Sequence, residues 1–255
     1  MQYTLKKSLG QHFLKDEIVC HKIVDALQQS MNDTAIKNVI EVGPGGGAIT
    51  KYILKIPDIN FKAAELDAEK INYLEHSFSA VRNKILHQDF LEIQMPFEDA
   101  FIVVGNFPYN ISTQIVFKVL DWKEQVPVMI GMFQKEVAQR IAAKPGGKVY
   151  GIISVLTQAF YTVEYLFDVA PESFTPPPKV MSGVIRLARK TQQYEMRSER
   201  DLFALVKTAF NQRRKMLRNA VKALFNDDIL ADKIFNKRAE QLSIADFAAL
   251  TFKMK

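Results

Sequence analysis

Cysteine pairs, clustered metal ligands and long apolar runs are what this sequence lacks. Cys20 is its single cysteine, so no internal disulfide framework can form, and the usage fits a reducing compartment. A lone cysteine of this kind is read first as a small buried hydrophobe. The four histidines, His12, His21, His76 and His87, fall at no metal-ligand spacing, and no metal site is expected. No apolar run approaches the roughly 20 residues of a membrane-spanning helix. The basic N-terminus carries no apolar signal-peptide core, so a cytoplasmic protein without a membrane partner is the expectation. Acids are outnumbered too: 34 Lys and Arg against 28 Asp and Glu give a net charge of +6, which points to an acidic partner. The 255 residues, 48% hydrophobic and 24% charged, suffice for one large core or a large domain with a small one. Neither internal repeats nor low-complexity tracts interrupt them.

What is present centres on Phe101 to Ser112, F-I-V-V-G-N-F-P-Y-N-I-S. Phe101 to Val104 form a short apolar run suited to a strand buried on both faces, stopping at Gly105. Pro108 has no N–H and cannot continue a central ladder, so the chain must leave the sheet there. Ligand sites in open α/β sheets lie just beyond the carboxyl ends of the strands, where Asn106 to Tyr109 would stand. The exocyclic amine of an aromatic base is a poor nucleophile because its lone pair is delocalised into the ring. The Asn106 side-chain oxygen and a main-chain carbonyl near Pro108 could each accept one of its N–H groups, favouring a tetrahedral nitrogen. Tyr109 or Phe107 could stack on the base. An aromatic turn without catalytic role competes with this for these residues alone, since Asn and Pro are common in turns.

Upstream, Asp16 is the expected N-cap of a helix Glu17 to Gln29, with Ile18, Val19, Ile23, Val24 and Leu27 as its apolar stripe. The basic stretch Lys6 to Leu14 precedes it. Because Phe13 and Leu14 are costly to leave in water, that stretch is expected to pack over something. Val39 to Val42 reads as a buried strand running into E-V-G-P-G-G-G-A-I-T, Glu41 to Thr50. Its glycines, Gly43, Gly45 and Gly47, depart from the dinucleotide spacing but allow a ligand close to the backbone. A second strand, Phe61 to Leu66, brings Glu65 about 20 residues past the loop, placed to accept ribose hydroxyls. Asp67 is expected to cap a helix Ala68 to Ala80. After a third strand, Ile85 to His87, Asp89 could accept an adenine amino group, with Phe90 on a ring face. Glycine loop, Glu65 and Asp89 at three successive strand tips suit a nucleoside cofactor without a pyrophosphate.

Downstream, Ser112 is expected to cap a helix Ser112 to Leu120. A strand Val126 to Phe133, helices Lys135 to Ala143 and Ile152 to Phe160, and strands Tyr161 to Val169 and Ser182 to Leu187 follow. Between the last two strands, Pro176, Pro177 and Pro178 stiffen a loop. That makes Phe174 a candidate second stacking face and Lys179 a candidate phosphate contact; a rigid surface connection is the alternative. Composition shifts after Arg189. From Glu199 the chain reads as helical, with Ser243 capping Ile244 to Phe252. Lys207, Asn211, Arg214, Arg218 and Lys222 recur at three- and four-residue steps and would share one helix face, flanked by Arg213 and Lys215. Without interleaved acids, this ridge reads as a phosphate-binding surface.

Together, G-Q-H-F-L at 10–14, E-V-G-P-G-G-G at 41–47, E-L-D at 65–67, Q-D-F at 88–90, N-F-P-Y at 106–109, F-T-P-P-P-K-V at 174–180 and F-N-Q-R-R-K-M-L-R-N at 210–219 resemble the ribosomal RNA adenine N6-dimethyltransferase family. The Q-R-R-K stretch favours its small-subunit branch. The resemblance spans nearly the whole chain. It implies an α/β, Rossmann-like class I S-adenosylmethionine-dependent methyltransferase sheet over residues 1–190, its basic segment 1–15 packing over the cofactor site. A small all-helical RNA-binding domain would occupy 191–255. It further implies S-adenosylmethionine held by His12, Leu14, Gly43, Gly45, Glu65, Asp89 and Asn106. The target adenine would be held by Asn106, Pro108, Tyr109 and Phe174. RNA phosphates would meet Arg213, Arg214, Lys215, Arg218, Lys222 and Lys179. The implied product is two adjacent N6,N6-dimethyladenosines in the 3′-terminal hairpin loop of 16S rRNA, made by a monomer acting on a small-subunit precursor. Alternatives are a non-catalytic RNA-binding or assembly factor, a large-subunit rRNA methyltransferase, and a DNA adenine or protein glutamine methyltransferase.

Overall fold

A computed structural model of the chain describes residues 12–255; of the basic segment 1–15 expected over the cofactor site, residues 1–11 lie outside them. In chain order the elements are β1 (Phe13–Leu14), α1 (Glu17–Thr34), β2 (Asn38–Val42), α2 (Thr50–Ile53), β3 (Asn60–Glu65), α3 (Ala68–Ser77), β4 (Ile85–His87), β5 (Ile102–Asn106), α4 (Ser112–Asp121), β6 (Val128–Gln134), α5 (Lys135–Ile141), α6 (Ile152–Phe160), β7 (Tyr161–Val169), β8 (Phe174–Thr175), β9 (Ser182–Arg189), α7 (Glu199–Asn211), α8 (Leu217–Ala220), α9 (Asp227–Leu230) and α10 (Ile244–Thr251). No helix among the described residues is long and apolar enough to cross a membrane.

Local chemistry sets the ends of these elements. The Asp16 carboxylate accepts the Ile18 and Val19 N–H groups, capping α1, which runs past Gln29 to Thr34 because Met31 keeps its buried stripe going. Asp67 caps α3 through the Glu69 N–H, and that helix stops at Ser77 where Phe78 turns extended. Ser243 and Asp246 form a capping box at α10. Ser112 departs from expectation. Ile111 occupies the cap position and Ser112 is the first helical residue, its hydroxyl donating back to the Tyr109 carbonyl at 3.2 Å.

The chain divides into two compact units, one comprising residues through Ala138 with Glu164–Arg189, the other Gln139–Val163 with Lys190–Lys255. The segment 139–163, read from sequence as part of the larger domain, thus clusters with the C-terminal helices. The first unit is organised by a sheet in the order β4-β3-β2-β5-β6-β9-β7. Strands β4, β3, β2, β5 and β6 are mutually parallel, and β9 runs antiparallel to β6. Strand order reverses between β2 and β5, the topological switch point at which open sheets bind ligands. The central parallel strands β2, β5 and β6 are buried along most of their length, as apolar runs such as Ile102–Val104 predict, while β4 at the sheet edge is not. A separate antiparallel pair sets Phe13 opposite Thr175 and Leu14 opposite Phe174. In the second unit, Tyr150, Phe210 and Phe247 pack in a row, and Leu202, Leu205 and Val206 bury one face of α7.

Candidate active site

The site is assembled from the carboxyl ends of β2, β3, β4 and β5. After β2 the chain enters the glycine loop, where Gly43, Gly45 and Gly47 all have φ between 56° and 78°, the left-handed region that favours glycine. At Gly47 a Cβ would also sit 2.6 Å from the Phe78 ring. Beneath the loop, Glu41 is almost fully buried and lines the same cleft. It accepts a 2.7 Å hydrogen bond from Thr50 Oγ1. Burial pushes its carboxyl up to about 8, against the pull of that bond and with a smaller push from Glu65.

Glu65, at the tip of β3, is clamped by backbone. Its Oε2 accepts the Gly45 N–H at 3.1 Å, and its Oε1 accepts those of Leu66 and Asp67 at 3.0 Å. One donor ties the carboxylate to the glycine loop and two to its own following turn, and the residue lines the cleft with lone pairs to spare. Asp89, beyond β4, accepts the Leu91 N–H through one oxygen at 2.9 Å and lines the cleft. Phe90 sits at the cleft wall, its ring edge-on to Trp122 at 5.6 Å. Lys70, on α3, is a buried lining residue that sequence reasoning did not single out.

At β5 the strand continues one residue beyond Gly105: Asn106 is its last residue and pairs with Met132. Strand alternation then sends Phe107 inward. Its ring is 1% exposed, lies edge-on to Phe133 at 5.2 Å, and fills a slot left open by Gly105 and Gly131. Phe107 is therefore an anchor for the turn and not a stacking surface, which corrects one of the two stacking assignments. Asn106, Phe107, Pro108 and Tyr109 all border the cleft, Phe107 with its ring buried in its slot. Asn106 Nδ2 donates to the His12 carbonyl at 3.4 Å. That leaves Oδ1 as the acceptor for the cleft. His12 Nδ1 lies 2.7 Å from the Pro176 carbonyl, which can only accept, so Nδ1 carries the proton. The imidazole stacks on Tyr109 at 5.8 Å and 30°, and the Tyr109 hydroxyl lies 2.6 Å from Ser182 Oγ.

His12, Leu14, Gly43, Gly45, Glu65, Asp89 and Asn106 thus line one cleft. Phe174 does not join them. It is 1% exposed and belongs to the core cluster with Leu14. Strand pairing of β8 with β1 turns its ring inward. Lys179 is exposed.

In the second unit the expected basic ridge is not one helix face. Helix α7 ends at Asn211, Gln212 leaves helical geometry at φ −122° and ψ 47°, and α8 restarts only at Leu217. Between Phe210 and Leu217 no residue is buried to hold the intervening turn on the core, and Arg213, Arg214 and Lys215 repel one another. Arg213 bonds the Gly147 carbonyl at 3.2 Å and lies 3.9 Å from Glu240. Arg214, Lys215 and Lys222 are exposed, and Arg218 is partly buried.

Solved structures place the architecture. The chain is similar to a dimethyladenosine transferase from Plasmodium falciparum, with a TM-score of 0.73 at 22% identity over 92% of this chain and 94% of that one. It is also similar to the 23S rRNA methyltransferase ErmE, with a TM-score of 0.70 at 20% identity over 93% and 99%. At such identities the likeness concerns fold alone, a largely parallel α/β sheet with flanking helices. Sequence carries the assignment further. The model for ribosomal RNA adenine dimethylases matches residues 2–253, and the chain belongs to that family, which uses S-adenosylmethionine. Relatives named ribosomal RNA small subunit methyltransferase A are 51% identical in Cytophaga hutchinsonii, over 96% of this chain and 95% of that protein. The one from Flavobacterium johnsoniae is 49% identical, over 98% and 95%.

Proposed function

We propose that this chain dimethylates N6 of two adjacent adenosines in the 3′-terminal hairpin loop of 16S rRNA, during biogenesis of the small ribosomal subunit. The observation that carries this reading is Asn106 at the tip of β5, its amide nitrogen committed to the His12 carbonyl and its oxygen left for the cleft.

The donor set suits S-adenosylmethionine. The Glu65 carboxylate, fixed beside the Gly45 backbone, matches the paired hydroxyls of a ribose, and Asp89 matches an adenine amino group. His12, Leu14 and the glycine loop complete the wall. Bound there, the cofactor supplies a methyl group on a positively charged sulfur. The chain's own residues do the rest. Asn106 Oδ1 and a main-chain carbonyl near Pro108 accept the N6 hydrogens and draw the nitrogen towards tetrahedral geometry. Its lone pair then leaves the ring system and becomes available for attack. Buried Phe107 keeps that turn from shifting. Tyr109 stacks on the base and offsets the cost of unstacking it from the RNA. N6 releases one proton to solvent on each transfer; once monomethylated it keeps one hydrogen, which one of the two acceptors can still hold, and a lone pair for a second transfer. The Lys and Arg residues at 213–215, 218 and 222, with Lys179, hold RNA phosphates. The protein acts as a cytoplasmic monomer, with the helical unit as the RNA-binding part.

Labelled S-adenosylmethionine, offered with undermethylated small-subunit RNA, large-subunit RNA or DNA in separate reactions, tests this. Label should enter only the small-subunit RNA, as dimethyladenosine at two adjacent positions. Transfer confined to either other substrate, or none to any, would overturn the proposal.

A further inference from the structure

We infer that Ser182 is a positioning residue for Tyr109, fixing the plane of the ring on which the target base rests. This builds on the stacking role given to Tyr109 above. Ser182 begins β9, opposite Gln134 at the end of β6, and β6 lies beside β5 with Met132 paired to Asn106. Sheet order alone therefore brings the first residue of β9 to the edge where β5 delivers its turn.

Ser182 is fully buried, and its Oγ lies 2.6 Å from the Tyr109 hydroxyl. The buried Ser182 hydroxyl and the part-buried Tyr109 hydroxyl each need a partner, and here they meet in one hydrogen bond. Burial raises the Tyr109 phenol against the smaller opposing effect of the Ser182 bond, so it stays protonated at neutral pH, and either hydroxyl can donate to the other. The ring is held on a second side by the His12 imidazole, itself fixed through Nδ1 to the Pro176 carbonyl. With its face and its far end both restrained, the ring cannot swing about its Cα–Cβ bond without breaking the hydrogen bond to Ser182. Displacements near 1 Å at a reacting centre cost on the order of 100-fold in rate, so a released ring should slow transfer markedly.

The test compares wild type with Ser182→Ala, Ser182→Thr, Tyr109→Phe, the Tyr109→Phe/Ser182→Ala double variant and Tyr109→Ala, using the small-subunit rRNA hairpin as acceptor. Ser182→Ala should lower kcat about tenfold with KM for S-adenosylmethionine unchanged. Ser182→Thr, which keeps a hydroxyl, should restore most of it. Tyr109→Phe should reproduce the loss, and the double variant should fall no further, since both changes remove one bond. With 2-aminopurine at the target position, quenching by the stacked ring should weaken in Ser182→Ala, a change that a merely structural serine would not produce. A wild-type kcat in Ser182→Ala or Tyr109→Phe, or multiplied losses in the double variant, would overturn the inference. Should Ser182→Ala not fold, Tyr109→Phe alone decides it. Tyr109→Ala separates the two levels. If it is inactive while Ser182→Ala is normal, only the serine's role fails; if it is normal as well, the stacking role of Tyr109 fails with it.

Discussion

The strand tips of the first unit and the cationic segment of the second hold their polar groups in opposite ways. Glu65 is clamped by three backbone N–H groups, Asn106 by the His12 carbonyl and Tyr109 by Ser182. Arg214, Lys215 and Lys222 stand exposed in a turn and a 3-10 segment. The difference matches two kinds of work. Transfer to a weak nucleophile needs acceptors placed in advance to a fraction of an ångström. The proposed phosphate contact needs charge near a flexible polyanion, which exposed cations on irregular backbone would provide.

That contrast can be broken at either end. The largest effect is expected at the clamped tip. Asn106→Ala should lower single-turnover transfer by about 10²–10³-fold, as losing a preorganised polar group in a site does. RNA affinity, measured by filter binding, should stay near wild type. Next comes the cationic segment. Replacing Arg214, Lys215 and Lys222 with Ala should weaken RNA binding and flatten its log–log salt slope by about two units, if three phosphates of a single-stranded loop are met. The single-turnover rate at saturating RNA should barely change. An unchanged slope would place these cations away from RNA.

The smallest effect concerns Glu41. Its carboxyl, ordinarily near 4.5, is raised to about 8 in the fold. The folded state therefore binds this proton more tightly than the unfolded chain does. Its contribution is complete below the ordinary carboxylate range and is lost as pH rises through about 8. Melting temperatures of wild type should fall by several degrees between roughly pH 6 and 9, while Glu41→Gln should be flatter over the same range. Parallel curves would remove Glu41 as the titrating group.

Much of the first unit was legible because its signals are local. The apolar runs gave β2 and β5, Asp16 and Asp67 gave their caps, and glycine spacing gave the loop. Glu41 carried a signal too, an acid inside the otherwise apolar run N-V-I-E-V. Other features depend on distant partners. Whether Phe107 stacks or anchors is decided by Gly131, which clears its slot, and nothing near residue 107 announces that. Phe174 turns inward because β8 pairs with β1, some 160 residues earlier in the chain. The Tyr109–Ser182 bond spans 73 positions. The ridge at 207–222 failed for a different reason. Its charges keep helical spacing, but helices of this length need a buried face, and residues 211–216 offer none.

The most direct test is a crystal structure with S-adenosylhomocysteine and an adenosine-containing 16S hairpin. The account predicts Asn106 Oδ1 at roughly 2.7–3.2 Å from the adenine N6, with the Tyr109 ring parallel to the base. An N6 that meets neither Asn106 nor the carbonyl near Pro108 would contradict it.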